Sequence, residues 1–536
     1  MSARINFIPN DPAALRDMPL RALAKSPNRP SGRAAFELAP PAPAGRYDPS
    51  SEEFLFWQCR EAALRAVQTF ERLAGPLRKW APRARRRLRL IPVAGLQLNA
   101  YYDRDSCSFF AFETKGRITR SGASTDVVAH EVGHALLDAI RPDLWDIALP
   151  EHEAFHESFG DCIALLTVLS DAETRAALLR KTRDLGRGAF VDALMEDLAA
   201  GIRREYGASD PSSRPRRALN RFRWQAPTSL PTSGGPSVLT GEAHSFSRVF
   251  TGCFYDVIRG LFRASPKRDA GALRDAADTA GRLLIQGTRS AVEQLRFYRA
   301  VGEAMLQADI KSNRGAHQQV IMDAFDDHGI PLASPARAFS VRSALTSTSP
   351  VVGGARRARG PRGAVRQLES RRDVDTEIKK QLDAGPGQRV SRAPLAAAGP
   401  NAQKVVVHRE VPLTGLSERL AGVVAMAPQP VVVSRQGRAT MVRSAIPAAD
   451  VTDEESRFFV ATLLQRGSIA FDDGSPPPAA AVRRGRARSA RAAGPKAATP
   501  SRNTITHAVK KQGKKRVLVR VRFMVACRGH RSARRR

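Results

Sequence analysis

Two histidines four residues apart, with a glutamate beside the first, stand at His130-Glu131-Val132-Gly133-His134. On a helix of about 3.6 residues per turn both imidazoles face one side as half of a zinc site, and Glu131 stands beside the metal position as a general base. Ser124, Thr125 and Asp126 supply helix-capping side chains ahead of the motif. Val127, Val128, Ala129, Val132, Ala135, Leu136 and Leu137 surround it with apolar surface, so the pattern predicts a buried helix. Histidines buried in that way need a partner, because an unpartnered polar group in an apolar interior is costly. The pattern recurs at His152-Glu153-Ala154-Phe155-His156, with Pro150 ahead and Glu151 and Glu157 on either side; this reads as the exposed first turn of a second helix. That helix has a better use. Glu157 and Asp161 share one face, while Phe155, Phe159, Cys162, Ile163 and Leu166 cover another and bury it. Where the two helices meet, His130, His134 and Glu157 become metal ligands and Asp161 accepts the second N–H of a ligand imidazole. One coordination position is left for water.

The order of these residues, a His-Glu-x-x-His helix followed by Glu157-x-x-x-Asp161, resembles the thermolysin-like and fungalysin-like zinc metallopeptidases, the gluzincins. Leu98-Asn99-Ala100-Tyr101-Tyr102 resembles the edge strand along which that family lays the substrate backbone, which makes Asn99 and Ala100 the substrate-aligning residues. Gly241-Glu242-Ala243-His244-Ser245 precedes an amphipathic helix carrying Phe246, Val249, Phe250, Cys253, Phe254, Val257, Ile258 and Leu261. The resemblance therefore implies that His244 hydrogen-bonds the tetrahedral intermediate. It covers residues 50–332. It implies an α+β fold with two lobes, a mixed strand-and-helix N-terminal lobe and a mainly helical C-terminal lobe, with Zn2+ between them and a peptide as substrate. The chain departs from the family in two places. No tyrosine lies between His134 and Glu157, where the family places a phenolic oxyanion donor, and Trp145 is the large aromatic near that position. Five residues before His244 stands Leu239 in place of an aspartate, and Glu242 is the nearest acid. Arg216 and Arg217 are the candidates for the arginine that lines the family's specificity pocket.

Around this unit the composition divides the chain. Residues 1–49, rich in Pro, Ala and Arg, read as a disordered N-terminal segment, and residues 52–73 as an amphipathic helix stopped by Gly75-Pro76. Residues 333–402 are Ser/Pro/Gly/Arg-rich and read as a linker. Residues 403–473 read as a small accessory domain, with strands at Val405-Val406-Val407 and Val431-Val432-Val433 and a helix over 453–465. Residues 474–536 hold 19 Lys plus Arg and no Asp or Glu, more than half of the formal net charge of +34, and read as a largely disordered, basic low-complexity tail. Inside it Val517, Val519, Val521, Phe523 and Val525 alternate in a strand pattern with one basic face.

Five cysteines without regular spacing argue against a disulfide framework, and Cys162 and Cys253 read as inert core thiols. No apolar stretch follows the N-terminal Met1-Ser2-Ala3-Arg4 as a signal peptide requires, and none reaches membrane-spanning length, so the expected location is the cytoplasm, with leaderless export as the alternative. Two function classes follow. One is a zinc metallopeptidase in which Glu131 takes a proton from the attacking water and returns it to the leaving amine. The other is a non-hydrolytic, metal-stabilised scaffold whose basic tail binds nucleic acid, an anionic surface or acidic partners.

Overall fold

The computed structural model describes residues 4–26, 32, 34–38, 41–333, 390–391, 402–436, 439–444, 449–471 and 504–526. The chain begins on β1 (Arg4–Phe7), paired antiparallel with β2 (Arg21–Ala24), and β3 (Ala35–Glu37) follows. Ile5 and Phe7 are buried, so the described part of 1–49 is not the disordered arm that its composition predicts: a few apolar side chains dock it on the body despite its Pro and Arg content. Helix α1 (Glu52–Ala74) starts where Ser51 caps it by accepting from the Phe54 N–H, and it stops at Gly75, whose φ of 79° few other residues adopt.

Strands β4 (Arg87–Ile91), β5 (Ala100–Tyr102) and β6 (Ser106–Phe109) join β3 in one sheet, in the order β5-β6-β4-β3. The β5–β6 pair is antiparallel and the other two are parallel. After the hairpin β7 (Ala111–Thr114) and β8 (Arg117–Arg120) come the two long central helices, α2 (Thr125–Ile140) and α3 (Pro150–Leu169). Ser124 caps α2 through the Val127 N–H, as its sequence predicts. Both helices are buried nearly all round, and their apolar residues lie in the main core. The first turn of α3 is buried as well, contrary to the exposed turn expected there. Glu151 explains the difference, because its carboxylate accepts from Trp224 Nε1 at 2.9 Å and from the Tyr298 N–H at 3.0 Å.

The rest of this body is mainly helical. α4 (Ala172–Thr182), β9 (Ala193–Leu194), α5 (Glu196–Tyr206) and β10 (Arg216–Arg217) lead to α6 (Ala243–Ala264), α7 (Ala270–Ser290), α8 (Phe297–Asn313) and α9 (Gln318–Asp327). Cys162 and Cys253 lie free in the core with their thiol pKa values raised by burial, which agrees with inert thiols.

A second sheet carries the C-terminal part. Its strands are β11 (Val390–Ser391), β12 (Ala402–Pro412), β13 (Val423–Gln436), β14 (Ala439–Ser444), β15 (Ile469–Ala470), β16 (His507–Gln512) and β17 (Lys515–Arg520), with helix α10 (Ala449–Gln465) on one side. The order is β11-β12-β13-β17-β16-β15, with β14 on β13. Phe459, Val460 and Leu463 of α10 share a core with Val423, Val509 and Leu518. The tail is thus not uniformly disordered: residues 504–526 supply strands, with Val509 and Leu518 buried against α10 and Phe523 and Val525 in the main core. The expected linker lies almost wholly outside the described residues, as do 474–503 and 527–536. The last strand, β18 (Phe523–Met524), leaves this sheet and pairs antiparallel with β5 of the first, Phe523 against Tyr102 and Met524 against Tyr101. With helices and sheets in both bodies, the protein is α+β. Among the described residues no helix is long and apolar enough to cross a membrane.

Candidate metal centre

α2 and α3 cross at two glycines. A Cβ on Gly133 would lie 2.8 Å from the Gly160 Cα, and one on Gly160 would lie 2.6 Å from His130 Nδ1. No larger residue fits at either position without movement, and this close approach lets side chains of both helices reach the same point. His130 Nε2 lies 3.3 Å from Glu157 Oε2 and His134 Nε2 lies 3.6 Å from Glu157 Oε1. The three residues are buried, and one donor atom from each falls within 4.8 Å of the others, a group that could hold a metal ion. His130 Nδ1 is 3.0 Å from Asp161 Oδ1, which is the outer contact expected for orienting a ligand imidazole. Two features of the donor set fit a cation. Neither His134 ring nitrogen has a hydrogen-bond partner, nor does either carboxylate oxygen of Glu131, although all four atoms are buried. Such groups are costly to bury unless something binds them.

The electrostatics follow from that burial. Burial pushes the Glu131 carboxyl up to about 8 and holds His134 well below the ordinary imidazole range. Burial and Arg216 oppose protonation of His130, but Asp161 and Glu157 outweigh them and its pKa is raised. Burial also opposes ionisation of Glu157, yet the neighbouring His244 and His134 hold it well below the usual carboxylate range.

His244 reaches the site from the first turn of α6, its Nε2 3.2 Å from Glu157 Oε2. Its Nδ1 lies 2.6 Å from Glu242 Oε1, so the acid two residues upstream, and not a residue at position 239, orients it. Glu242 also caps α6 through the Ser245 N–H, and His244 and Arg466 overcome its burial to keep it ionised. Trp145 is not positioned as an oxyanion donor, since its Nε1–H points to the Arg520 carbonyl at 3.3 Å.

Of the two candidate arginines, Arg216 enters the site and Arg217 pairs with Asp192 away from it. Arg216 Nη1 donates to Glu157 Oε2 at 3.2 Å and Nη2 to Asp161 Oδ1 at 2.8 Å. One guanidinium therefore holds both acids of the α3 face, a role that the sequence signals only by two adjacent arginines. His152 and His156 take no part in the ligand group; His152 stacks on Phe297 at 4.6 Å and His156 on Phe523 at 4.0 Å. Asn99 and Ala100 meet residues 525 and 526 of the chain itself, and β5 is not an edge strand: β18 covers its outer side.

No protein-family model matches the chain, and no curated protein matches it either. Fold and site together define an α+β protein with a buried His-His-Glu group able to hold a metal ion.

Proposed function

We propose that the protein is a zinc-dependent metallopeptidase of thermolysin-like type. The observation that carries this reading is the convergence of His130, His134 and Glu157 within 4.8 Å of one another, with the unpartnered Glu131 carboxylate on the same helix and His244 beside them. Two imidazoles and one carboxylate are the donor set that zinc takes when it keeps a position for catalysis. Bound there, zinc supplies a Lewis acid that polarises the substrate carbonyl and acidifies water. Glu131 accepts a proton from that water as its oxygen adds to the carbonyl carbon. It then delivers the proton to the departing amine nitrogen as the C–N bond breaks, so the proton count closes on one carboxyl group. His244 donates from Nε2 to the oxygen that becomes negative, a contribution of about 3 kcal/mol for one such donor. Arg216 and Asp161 hold Glu157 and His130 in place.

The test is metal content together with hydrolysis of casein and quenched peptides by the full chain, beside Glu131→Gln and Glu157→Ala. One equivalent of zinc in the wild type and in Glu131→Gln, with cleavage lost in both variants and metal lost in the second, is the expected result. Retained turnover in Glu131→Gln would remove the mechanism, and absence of bound metal would remove the reading.

A further inference from the structure

The outer side of β5 is occupied by the chain's own C-terminal segment, and the contacts go to the groups assigned above to substrate. The Val525 N–H donates to the Ala100 carbonyl at 3.0 Å. The Asn99 side chain grips Ala526 from both sides, Oδ1 accepting its N–H at 3.1 Å and Nδ2 donating to its carbonyl at 3.2 Å. His244 Nε2 lies 2.5 Å from the Met524 carbonyl oxygen, which can only accept. Phe523 stacks on the His134 ring at 4.6 Å and on His156 at 4.0 Å, with Trp145 edge-on at 5.3 Å. Upstream, Arg520 pairs with the buried Glu153 and lies over the Phe523 ring. Downstream, Val525 and Ala526 line a cavity with Leu198, Ile202 and Arg216.

Ordinary strand pairing needs backbone bonds alone. Here a side-chain amide clamps one residue, a histidine meets one carbonyl and an aromatic ring covers a metal-ligand candidate, which is how an extended peptide is captured at a sheet edge with pockets for its side chains. We propose that the groove beside β5 is a peptide-binding site for extended segments with an aromatic residue followed by two aliphatic-type side chains. Residues 520–526 are its resident occupant, with the Met524–Val525 bond in the hydrolytic position, and they keep the protein latent. The placement of that bond rests on the peptidase reading; the occupancy does not.

Two substitutions in the full chain release the segment differently. Phe523→Ala removes the ring, and Val525→Pro deletes the N–H given to Ala100 and fixes the backbone at that position while leaving the ring in place. In the zinc-supplemented protein, either variant is expected to cleave a quenched peptide about tenfold faster or more, since apparent activity scales with the open fraction. A synthetic peptide of sequence 520–526 added in trans should restore the inhibition. Equal rates in wild type and both variants would overturn self-occupancy and leave the peptidase standing. If no form cleaves, binding of the same peptide carrying a fluorescent label decides: binding to Val525→Pro but not to wild type upholds the occupied groove while the hydrolytic reading falls. Binding to neither, or to both alike, overturns the proposal.

Discussion

The α2–α3 crossing and the β5–β18 pairing both deliver side chains to the same site, by opposite routes. In the first, two helices consecutive in the chain meet at Gly133 and Gly160 and put His130, His134 and Glu157 together. In the second, Asn99 meets a partner 427 residues away. The helix pair buries most of both helices in the main apolar core, whereas the last strand and the residue after it add only Phe523 and Val525 to that core, beside a short ladder and a buried Arg520–Glu153 pair. A site built on the first kind of contact is permanent. A segment held by the second kind can leave, because fewer buried contacts oppose its opening.

The largest effect should come from breaking the crossing at its chemistry. Glu157→Ala removes one of the three groups able to hold a metal and the Arg216 partner beside Asp161, and if that group is the metal site, metal affinity, measured by chelator competition, should fall about a hundredfold or more, given that losing even an outer contact costs about 10–100-fold. Next comes the anchor of the strand pair. Arg520→Met leaves the buried Glu153 carboxylate without its cation and should cost about 3–5 kcal/mol in urea denaturation, with part of the loss recovered in the double variant with Glu153→Met. Gly160→Ala drives a methyl group against His130 and should cost about 1–3 kcal/mol in thermal or urea unfolding, along with weaker metal binding. Unchanged stability and metal affinity in that variant would show that the crossing tolerates separation.

The last effect concerns acid and appears only as pH falls. Burial lowers the pKa of His507, on β16, from 6.5 to about 3. Between those values the unfolded chain binds a proton that the folded ring refuses, so this residue makes stability fall as pH drops from 6.5 toward 3 and has no influence above 6.5. His152 and His156, also lowered to about 3, act in the same direction from the helical body. The urea midpoint should therefore decline on acidification, and decline less in His507→Phe; equal declines would assign the acid sensitivity to the helical body alone.

The two helices that bring His130, His134 and Glu157 together were legible because their signals are local. Ser124 caps α2, Gly75 ends α1, and the four-residue spacings of His130 with His134 and of Glu157 with Asp161 set one helix face each. The same locality misjudged the first turn of α3, where acidic residues suggested solvent but Trp224 and Tyr298 bury Glu151. It also misjudged the described part of residues 1–49, whose Arg and Pro content outweighed the few apolar side chains that dock it, whereas the strand pattern read from Val517 onward falls on β17 and β18.

By itself, then, the order of residues determined which side chains could bind a cation and that two helices would present them, since a period of 3.6 is written in each segment separately. Only the tertiary structure decided that Arg216 rather than Arg217 holds the acids, that Glu242 orients His244, and that Phe523–Met524 closes β5. Alternation along a strand says which face is apolar but carries no label for the partner strand, and that choice is made by the energy of burying Phe523 and Arg520 against residues hundreds of positions away.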